Sequence, residues 1–262
     1  MLSRILGVLL LSIGLLTGTA GGAQAVINAE PDGMRHPYVG LVTDTQGFCS
    51  GSLISPTVFI TAAHCADAGA TVYVTVDPDA SAVFDNPIGV PPTGADYVTG
   101  TFYPDPDFCI ACGPGLPGFA TGDVAVVILD DPINVSSYAS LPSVGQVDRL
   151  AQKQTLTAVG YGIRARENKL VDEYAVRYMA PLQIIQDNNV VADEFLKLTA
   201  NRAKDKGAIC SGDSGGPILL GSTILAVNSF GNGVCGASPS YAYRIDTVEA
   251  LNFIQSIITL HA

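Results

Sequence analysis

The chain has 262 residues, of which 48% are hydrophobic and 14% are charged, and its formal net charge is −11. This hydrophobic content is sufficient for a sizeable core and excludes a disordered chain. The length fits one large all-β unit or two small domains. Because the negative charge repels phosphate groups, we expect neither nucleic acid nor an anionic membrane as a partner.

The N-terminal residues have the layout of a secretory signal peptide. Arg4 is followed by an apolar run over residues 5–16, and Ala-Gln-Ala occupies residues 23–25. A basic start, an apolar stretch of about a dozen residues and an Ala-x-Ala site are typical of signal peptides. A membrane anchor needs about 20 apolar residues, and this run is shorter. We therefore predict cleavage after Ala25 and a secreted, extracellular protein.

Short β-rich runs separated by Gly, Pro, Asp and Asn recur along the remaining chain. Their spacing predicts an antiparallel sandwich or barrel and disfavours repeated β-α-β units. The predicted strands cover residues 38–43, 52–55, 58–62, 71–76, 124–129, 155–159, 217–220 and 224–229.

Between residues 78 and 117 the chain is rich in Pro, Gly and Asp, which predicts an enlarged loop. Asp77, Asp79 and Asp85 near its start offer the oxygen ligands that calcium prefers. Carboxylates in turns are more often solvated than metal-bound, so we expect no metal here.

One helix is predicted near the C-terminus, at about residues 247–259. Asp246 followed by Glu249 resembles a capping box at its start. The apolar residues recur with helical spacing at Val248, Leu251, Ile254, Ile257 and Ile258.

Three motifs contain the residue types of a nucleophilic serine site. They are Thr-Ala-Ala-His-Cys at residues 61–65, Asp-Val-Ala-Val-Val at 123–127 and Gly-Asp-Ser-Gly-Gly-Pro at 212–217. A serine hydroxyl needs a base to take its proton and a carboxylate to orient that base. The third motif also fits the Gly-x-Ser-x-Gly pattern of α/β-hydrolases, but their histidine follows the serine. Only His261, the penultimate residue, does so here, which disfavours that class.

These motifs resemble those of the chymotrypsin-like (trypsin-fold) serine proteases, and the resemblance runs from about residue 26 to the C-terminus. It implies an all-β fold of two six-stranded antiparallel Greek-key β-barrels packed together, followed by a C-terminal helix. The expected first barrel covers about residues 26–135 and the second about residues 136–245. The active site would lie between them.

The resemblance also assigns roles to individual residues. Ser214 is the expected nucleophile, His64 the general base and acid, and Asp123 the carboxylate that orients His64. The backbone N–H groups of Gly212 and Ser214 occupy the positions of an oxyanion hole.

In this family the carboxylate before the serine, here Asp213, pairs with a newly freed α-amino group. Val-Ile-Asn-Ala at residues 26–29 resembles the usual start of the active chain. No basic residue stands directly before it, and Ala25 precedes Val26. We hypothesise that signal peptidase itself releases Val26, whose amino group then pairs with Asp213. The alternative is that residues 26–29 are only a first strand.

Six cysteines, an even number, are typical of an oxidising compartment. The pairs that the resemblance implies are Cys49–Cys65 and Cys210–Cys235. The remaining Cys109 and Cys112 have a spacing that also suits a redox dithiol or half of a zinc site. No second cysteine pair or histidine cluster is left to complete a metal site, so we predict a local disulfide.

The substrate pocket is expected to be neutral. Trypsin-like members carry Asp six residues before the nucleophile, and this position is Ala208. A pocket without a carboxylate does not compensate a desolvated Lys or Arg, so we expect an uncharged substrate side chain. The residues that the resemblance places around the pocket are Ala208, Ile209, Ser229, Phe230, Gly231 and Ser240.

We therefore predict a secreted serine endopeptidase that hydrolyses protein or peptide substrates through an acyl-enzyme, with no metal or other cofactor. We expect a monomer, with protein inhibitors as further partners. The alternative is a catalytically inactive homologue that acts as a secreted binding protein. All three triad residues are present, which favours the enzyme.

Overall fold

The computed structural model describes residues 29–93, 96–110, 112, 120–162, 164–166, 169–171, 175–186, 194–199, 207–231 and 239–262. No helix in this part of the chain is long and apolar enough to cross a membrane. The strands are β1 (Glu30–Pro31), β2 (Val39–Thr43), β3 (Phe48–Ser55), β4 (Val58–Thr61), β5 (Thr71–Thr75), β6 (Val98–Pro104), β7 (Cys109–Ile110), β8 (Ala120–Thr121), β9 (Ala125–Leu129), β10 (Thr155–Gly160), β11 (Arg164–Arg166), β12 (Lys169–Val171), β13 (Tyr178–Gln186), β14 (Phe195–Leu198), β15 (Pro217–Leu220), β16 (Thr223–Gly231) and β17 (Ser240–Arg244), and the helix is α1 (Val248–Leu260).

The first barrel is a closed antiparallel sheet in the order β2-β3-β4-β9-β6-β5. Its strands are rich in the β-branched and aromatic residues that favour a pleated, half-buried surface. Leu41, Leu53, Phe59 and Phe102 are fully buried inside it, with no exposed surface. The apolar side chains of the predicted β-rich runs therefore fill the barrel interior.

The second barrel consists of β13, β10, β15, β16, β17 and β14, and the pairing of β13 with β14 closes it. The predicted fold of two six-stranded antiparallel barrels and a C-terminal helix is confirmed. β1 lies within the range assigned to the first barrel, but it pairs with β13, opposite Tyr178 and Met179, because the edge of that strand is open there.

Strand β6 lies inside the stretch that composition assigned to a loop, so that part of the prediction was wrong. Gly100 interrupts the apolar alternation of β6 in the sequence. Glycine is required at this position because the neighbouring strand packs closely against it. A Cβ on Gly100 would lie 2.7 Å from the carbonyl oxygen of Ile128 on the neighbouring β9. The prediction also missed β13, β14 and β17 in the second barrel.

The N-cap of helix α1 lies one residue after the predicted cap, Asp246. The N-cap is Thr247, whose hydroxyl accepts a hydrogen bond from the Ala250 backbone N–H at 3.2 Å. Asp246 instead accepts a hydrogen bond from Arg244 Nε at 2.9 Å and one from the Val147 N–H at 2.8 Å. Its carboxylate therefore anchors the chain ahead of the helix to the second barrel.

A buried ion pair joins the N-terminal segment to both barrels. Arg177 and Asp32 are each 1% exposed, and Arg177 Nε lies 3.0 Å from Asp32 Oδ2. The same guanidinium donates to the carbonyl oxygens of Val39 and Val76 in the first barrel, at 2.6 and 2.9 Å. The Asp32 carboxylate also bonds the imidazole of His36. The pair thus connects the N-terminal segment and the first barrel to Arg177, the residue directly before β13.

We expect Arg177→Met to lower the free energy of unfolding by about 3–5 kcal/mol, because it removes the guanidinium from a buried ion pair with Asp32. Urea unfolding followed by circular dichroism measures this loss. Arg35→Met is the matched control, since Arg35 forms an exposed pair with Glu30, and exposed pairs contribute little. Equal losses in the two variants would contradict the structural role of Arg177.

Candidate active site

His64 and Asp123 lie side by side on the first barrel. His64 follows β4 in a short 3₁₀ helix, and Asp123 stands just before β9, which pairs with β4. His64 Nδ1 is 3.0 Å from each carboxylate oxygen of Asp123, and the His64 backbone N–H donates to Asp123 Oδ1 at 3.1 Å. The Asp123 side chain is 1% exposed and the His64 side chain is 26% exposed, so the imidazole reaches solvent from a buried carboxylate.

Asp123 is held in its ionised form. Burial alone would raise the pKa of Asp123, but the hydrogen bonds and charge of His64, together with the hydrogen bond that Ser229 Oγ donates, lower it below its usual value. A carboxylate only accepts hydrogen bonds, so His64 Nδ1 carries the proton that lies between them. His64 Nε2 is therefore left as the basic nitrogen.

Ser214 lies in the second barrel, in the turn that precedes β15, and its loop is held by Ser50 of β3. The Ser50 N–H donates to the Ser214 carbonyl at 2.8 Å, and Ser50 Oγ donates to the Gly212 carbonyl at 2.8 Å. Ser50 Oγ also accepts the Tyr161 N–H at 2.9 Å. Ser50 has no exposed surface, and the sequence motifs did not single it out. In the sequence, the feature that could have marked Ser50 is its position directly after Cys49. In the structure this position lies on β3 and is fully buried.

The histidine segment and the serine loop share β3 as a support. The Cys49–Cys65 disulfide links β3 to the 3₁₀ helix of His64. Thr61 Oγ1, just ahead of that helix, donates to the Ser50 carbonyl at 2.8 Å. Among the described residues, no hydrogen bond joins Ser214 to His64. In serine enzymes this bond is often long in the resting state and shortens when substrate binds.

Two backbone N–H groups beside Ser214 are available to an anion. Within the described part of the chain, neither the Gly212 N–H nor the Ser214 N–H donates a hydrogen bond. Gly212 has a φ of +93°, which favours glycine, and a Cβ there would lie 2.6 Å from the Phe48 ring. The carbonyls of Gly212 and Ser214 are used by Ser50, which leaves their N–H groups as the free donors.

Asp213 points away from Ser214 into the protein. It is 1% exposed, and it accepts N–H groups from Cys210 at 2.8 Å and from Gly162 at 2.9 Å. A Cβ on Gly162 would lie 2.5 Å from the Asp213 carboxyl carbon, and one on Gly160 would overlap a carboxylate oxygen. The Gly-Tyr-Gly at residues 160–162 therefore provides the space for this carboxylate.

No ion pair of Asp213 is found among the described residues. Burial raises the pKa of Asp213 to about 6, although the N–H groups of Cys210 and Gly162 oppose the rise. Val26, its expected partner, lies outside the described residues. The carboxylate is thus buried with hydrogen bonds and with no described countercharge.

The expected pocket residues lie close together on β16, β17 and the segment before Ser214. Ala208, Ile209 and Ser240 are buried, and the Ile209 N–H donates to Ser240 Oγ at 3.4 Å. Ser240 pairs with Gly231 across the two strands. The Phe230 ring stacks on that of Tyr241 with centroids 4.9 Å apart, whereas Ser229 turns toward Asp123. None of the six carries a charge.

The remaining predicted residues are placed as follows. Cys109 and Cys112 are bonded to each other. Cys210 is disulfide-bonded, and its predicted partner Cys235 lies outside the described residues.

In the acidic cluster, Asp77 accepts the Asp79 N–H at 2.9 Å. Asp79 in turn accepts the N–H of Ser81 at 3.2 Å, so these carboxylates stabilise turns.

Comparison with known proteins agrees with this arrangement. The sequence model of the Trypsin family matches residues 26–254. Brachyurin from Leptuca pugilator is 25% identical over 222 residues, which cover 80% of this chain and 85% of that protein. Chymotrypsin from Phaedon cochleariae is 25% identical over 227 residues, covering 81% and 73%. Snake venom serine protease BITS01A from Bothrops insularis is 25% identical over 252 residues, covering 91% and 86%.

Among solved structures, the scabies mite inactivated protease paralogue S-D1 aligns with a TM-score of 0.67 and 17% identity, covering 89% of this chain and 97% of that chain. At this identity the match establishes the fold alone.

The raised pKa of Asp213 predicts a pH-dependent loss of stability in a chain that keeps Ala25 before Val26. The folded-state pKa of about 6 lies above the usual 3.8, so the folded protein binds this proton more tightly than the unfolded chain. As the pH rises from 4 to 7, the free energy of unfolding of this chain should fall relative to that of its Asp213→Asn variant. Urea unfolding at both pH values measures the difference.

Asp67→Asn is the control, because Asp67 is exposed. A chain whose stability changes with pH in the same way with and without Asp213 would contradict the assignment.

Proposed function

The chain belongs to the trypsin family of serine proteases, and from this premise we propose that Ser214, His64 and Asp123 catalyse the hydrolysis of peptide bonds. The observation that carries the proposal is the buried Asp123–His64 pair beside a serine loop with two unused N–H groups. Proteases of this family act on protein or peptide substrates.

In the proposed reaction, Ser214 Oγ attacks the carbonyl carbon of the scissile bond while His64 Nε2 takes its proton. Asp123 stabilises the imidazolium ion that forms, because the carboxylate is already ionised and bonded to Nδ1–H. The tetrahedral oxyanion accepts hydrogen bonds from the N–H groups of Gly212 and Ser214. One such donor is worth about 3–4 kcal/mol in the transition state.

The second half of the reaction releases the acyl group. The C–N bond breaks as His64 returns its proton to the leaving amine, which leaves the acyl group as an ester on Ser214. Water then attacks this ester, with His64 again as base, and the carboxylic acid product leaves with Ser214 restored. No metal or other cofactor is needed for these steps.

We propose that the α-amino group of Val26 is the countercharge of Asp213. The buried carboxylate with a raised pKa supports this, since a buried anion is stabilised when a cation pairs with it. Ala-Gln-Ala directly before Val26 supports release by signal peptidase. The same leader supports an extracellular location for this protein, as does its similarity to a snake venom serine protease.

The pocket that we propose for the substrate side chain is neutral. Ala208 and Ile209 form its apolar part, and Ser240 offers a hydroxyl that is already bonded to Ile209. A desolvated Lys or Arg side chain finds no carboxylate among these residues. We therefore propose cleavage after uncharged residues.

We expect a fluorophosphonate probe to add one covalent mass to the processed protein, on Ser214, because only an activated hydroxyl attacks phosphorus rapidly. Intact-mass measurement and peptide mapping locate the adduct. Ser214→Ala should abolish labelling, whereas Ser211→Ala, which removes the exposed serine of the same loop, should label like the native protein. A folded, processed protein that is not labelled would favour a non-catalytic binding protein.

A second prediction concerns the support of the loop. Ser50→Ala should lower kcat/KM for a peptide substrate by about 10- to 100-fold, because the hydroxyl group bonds both the Gly212 carbonyl and the Tyr161 N–H. Ser52→Ala is a closely matched control, since Ser52 is also buried on β3 but its hydroxyl has no partner in the part of the chain that the structure describes. Similar kinetics for the two variants would show that Ser50 does not position the loop.

A further inference from the structure

Asn228 of β16 has a buried carboxamide that forms no hydrogen bond within the described part of the chain. The residue is 1% exposed, and neither Oδ1 nor Nδ2 has a partner among the described residues. Buried polar side chains in proteins are almost always hydrogen-bonded, so an unpaired carboxamide calls for a functional explanation. The catalytic steps described above do not use this group.

The backbone of Asn228 is fixed against the nucleophile loop. Its N–H donates to the Gly216 carbonyl at 2.8 Å, and its carbonyl accepts the Gly215 N–H at 2.7 Å. Gly215 is the residue directly after Ser214, and Ser229, the next residue of β16, donates to Asp123. Asn228 is therefore held within one or two residues of two members of the triad.

The pairing of β16 with β17 defines the face on which the Asn228 side chain lies. Asn228 stands opposite Ala242, and directly opposed residues share one face of a sheet. Side chains alternate along a strand, so Ala226 lies on this face too. Ala226 and Ala242 pack in one apolar cluster with Ile209. Val227, between Ala226 and Asn228, packs in the other cluster.

This face is the one that carries the proposed substrate pocket. Ser240 lies two residues before Ala242 on β17, and its hydroxyl bonds the Ile209 N–H. The register of β16 shifts between Asn228 and Phe230, which marks an irregularity at Ser229. Such bulges redirect side chains beside active sites. Ser229 thus turns toward Asp123, and the Asn228 side chain shares the sheet face of Ala242 and Ser240.

We propose that Asn228 is a specificity-determining residue that hydrogen-bonds the substrate side chain preceding the scissile bond, and that it selects the carboxamides of Asn and Gln. The inference rests on the proposed function and names its substrate class. Oδ1 needs a donor and Nδ2 needs an acceptor at the same time. A carboxamide offers one of each in a single plane.

Other side chains match this pair of groups less well. An ammonium group only donates and an ionised carboxylate only accepts, so each leaves one atom of Asn228 unpaired. Both also need a countercharge, and the pocket residues Ala208, Ile209 and Ser240 provide none. Leu and Met fill a similar volume but leave both atoms unpaired. A site built to hydrogen-bond a polar group discriminates strongly against analogues that lack it.

The first arm of the test measures kcat/KM for peptides that differ only in the residue before the scissile bond. The native, processed protein should cleave after Gln or Asn about 10- to 100-fold faster than after Met or Leu. In Asn228→Leu, which keeps the volume and removes the amide, Met and Leu should be cleaved at least as fast as Gln. Tyr97→Phe is the control, because the buried Tyr97 hydroxyl also lacks a partner among the described residues but lies before β6 in the first barrel.

The second arm measures equilibrium binding of the same peptides to Ser214→Ala by calorimetry, which does not depend on catalysis. Tighter binding of the Gln peptide than of the Met peptide supports the role of Asn228 even if the native protein cleaves neither, a result that would reject the proposed function alone. Equal or weaker binding of the Gln peptide overturns the inference. A Gln preference that persists in folded Asn228→Leu also overturns the inference. If Asn228→Leu does not fold, the cleavage profile of the native protein and the binding data decide.

Discussion

The site depends on the hydrogen bonds that Ser50 makes across the boundary between the two barrels. These bonds occupy the carbonyls of Gly212 and Ser214, at 2.8 Å each, and they fix the serine loop of the second barrel on β3 of the first. The same strand is bonded to the His64 segment through the Cys49–Cys65 disulfide. Ser214 and His64, the proposed nucleophile and base, therefore share a rigid support, although they belong to different barrels. Rigid strands hold catalytic groups more accurately than loops do.

Three buried carboxylates show different solutions to the cost of burying charge. Asp32 is paired with His36 and with Arg177, which hold its pKa below the usual value against the opposing effect of burial. Asp123 is paired with His64, and its pKa is also lowered. Asp213 has only N–H donors among the described residues, and its pKa is raised to about 6. This contrast is the physical basis for proposing that Asp213 pairs with the α-amino group of Val26.

The sequence drew attention to residues that stand in local motifs and gave no sign of residues whose partners are distant along the chain. His64, Asp123 and Ser214 each stand in a short recognisable run, and the two-barrel fold followed from that resemblance. Ser50 contacts Gly212 across 162 residues, and Arg177 contacts Asp32 across 145, so no local pattern marks either contact. Asn228 lies in a strand that was predicted, but its unpaired amide is evident only once burial is known.

The most direct test of this account is the acylation burst of two purified chains, one beginning at Val26 and one retaining Ala25 before it. Both are mixed with a nitrophenyl ester of a neutral amino acid, and the rapid release of nitrophenol is measured. We predict about one equivalent per molecule for the chain that begins at Val26 and a much smaller burst for the other, because only a free Val26 amine reaches Asp213. Equal bursts would show that activation does not require a free Val26 amine to pair with Asp213. The absence of a burst in both folded chains would contradict the assignment of the triad.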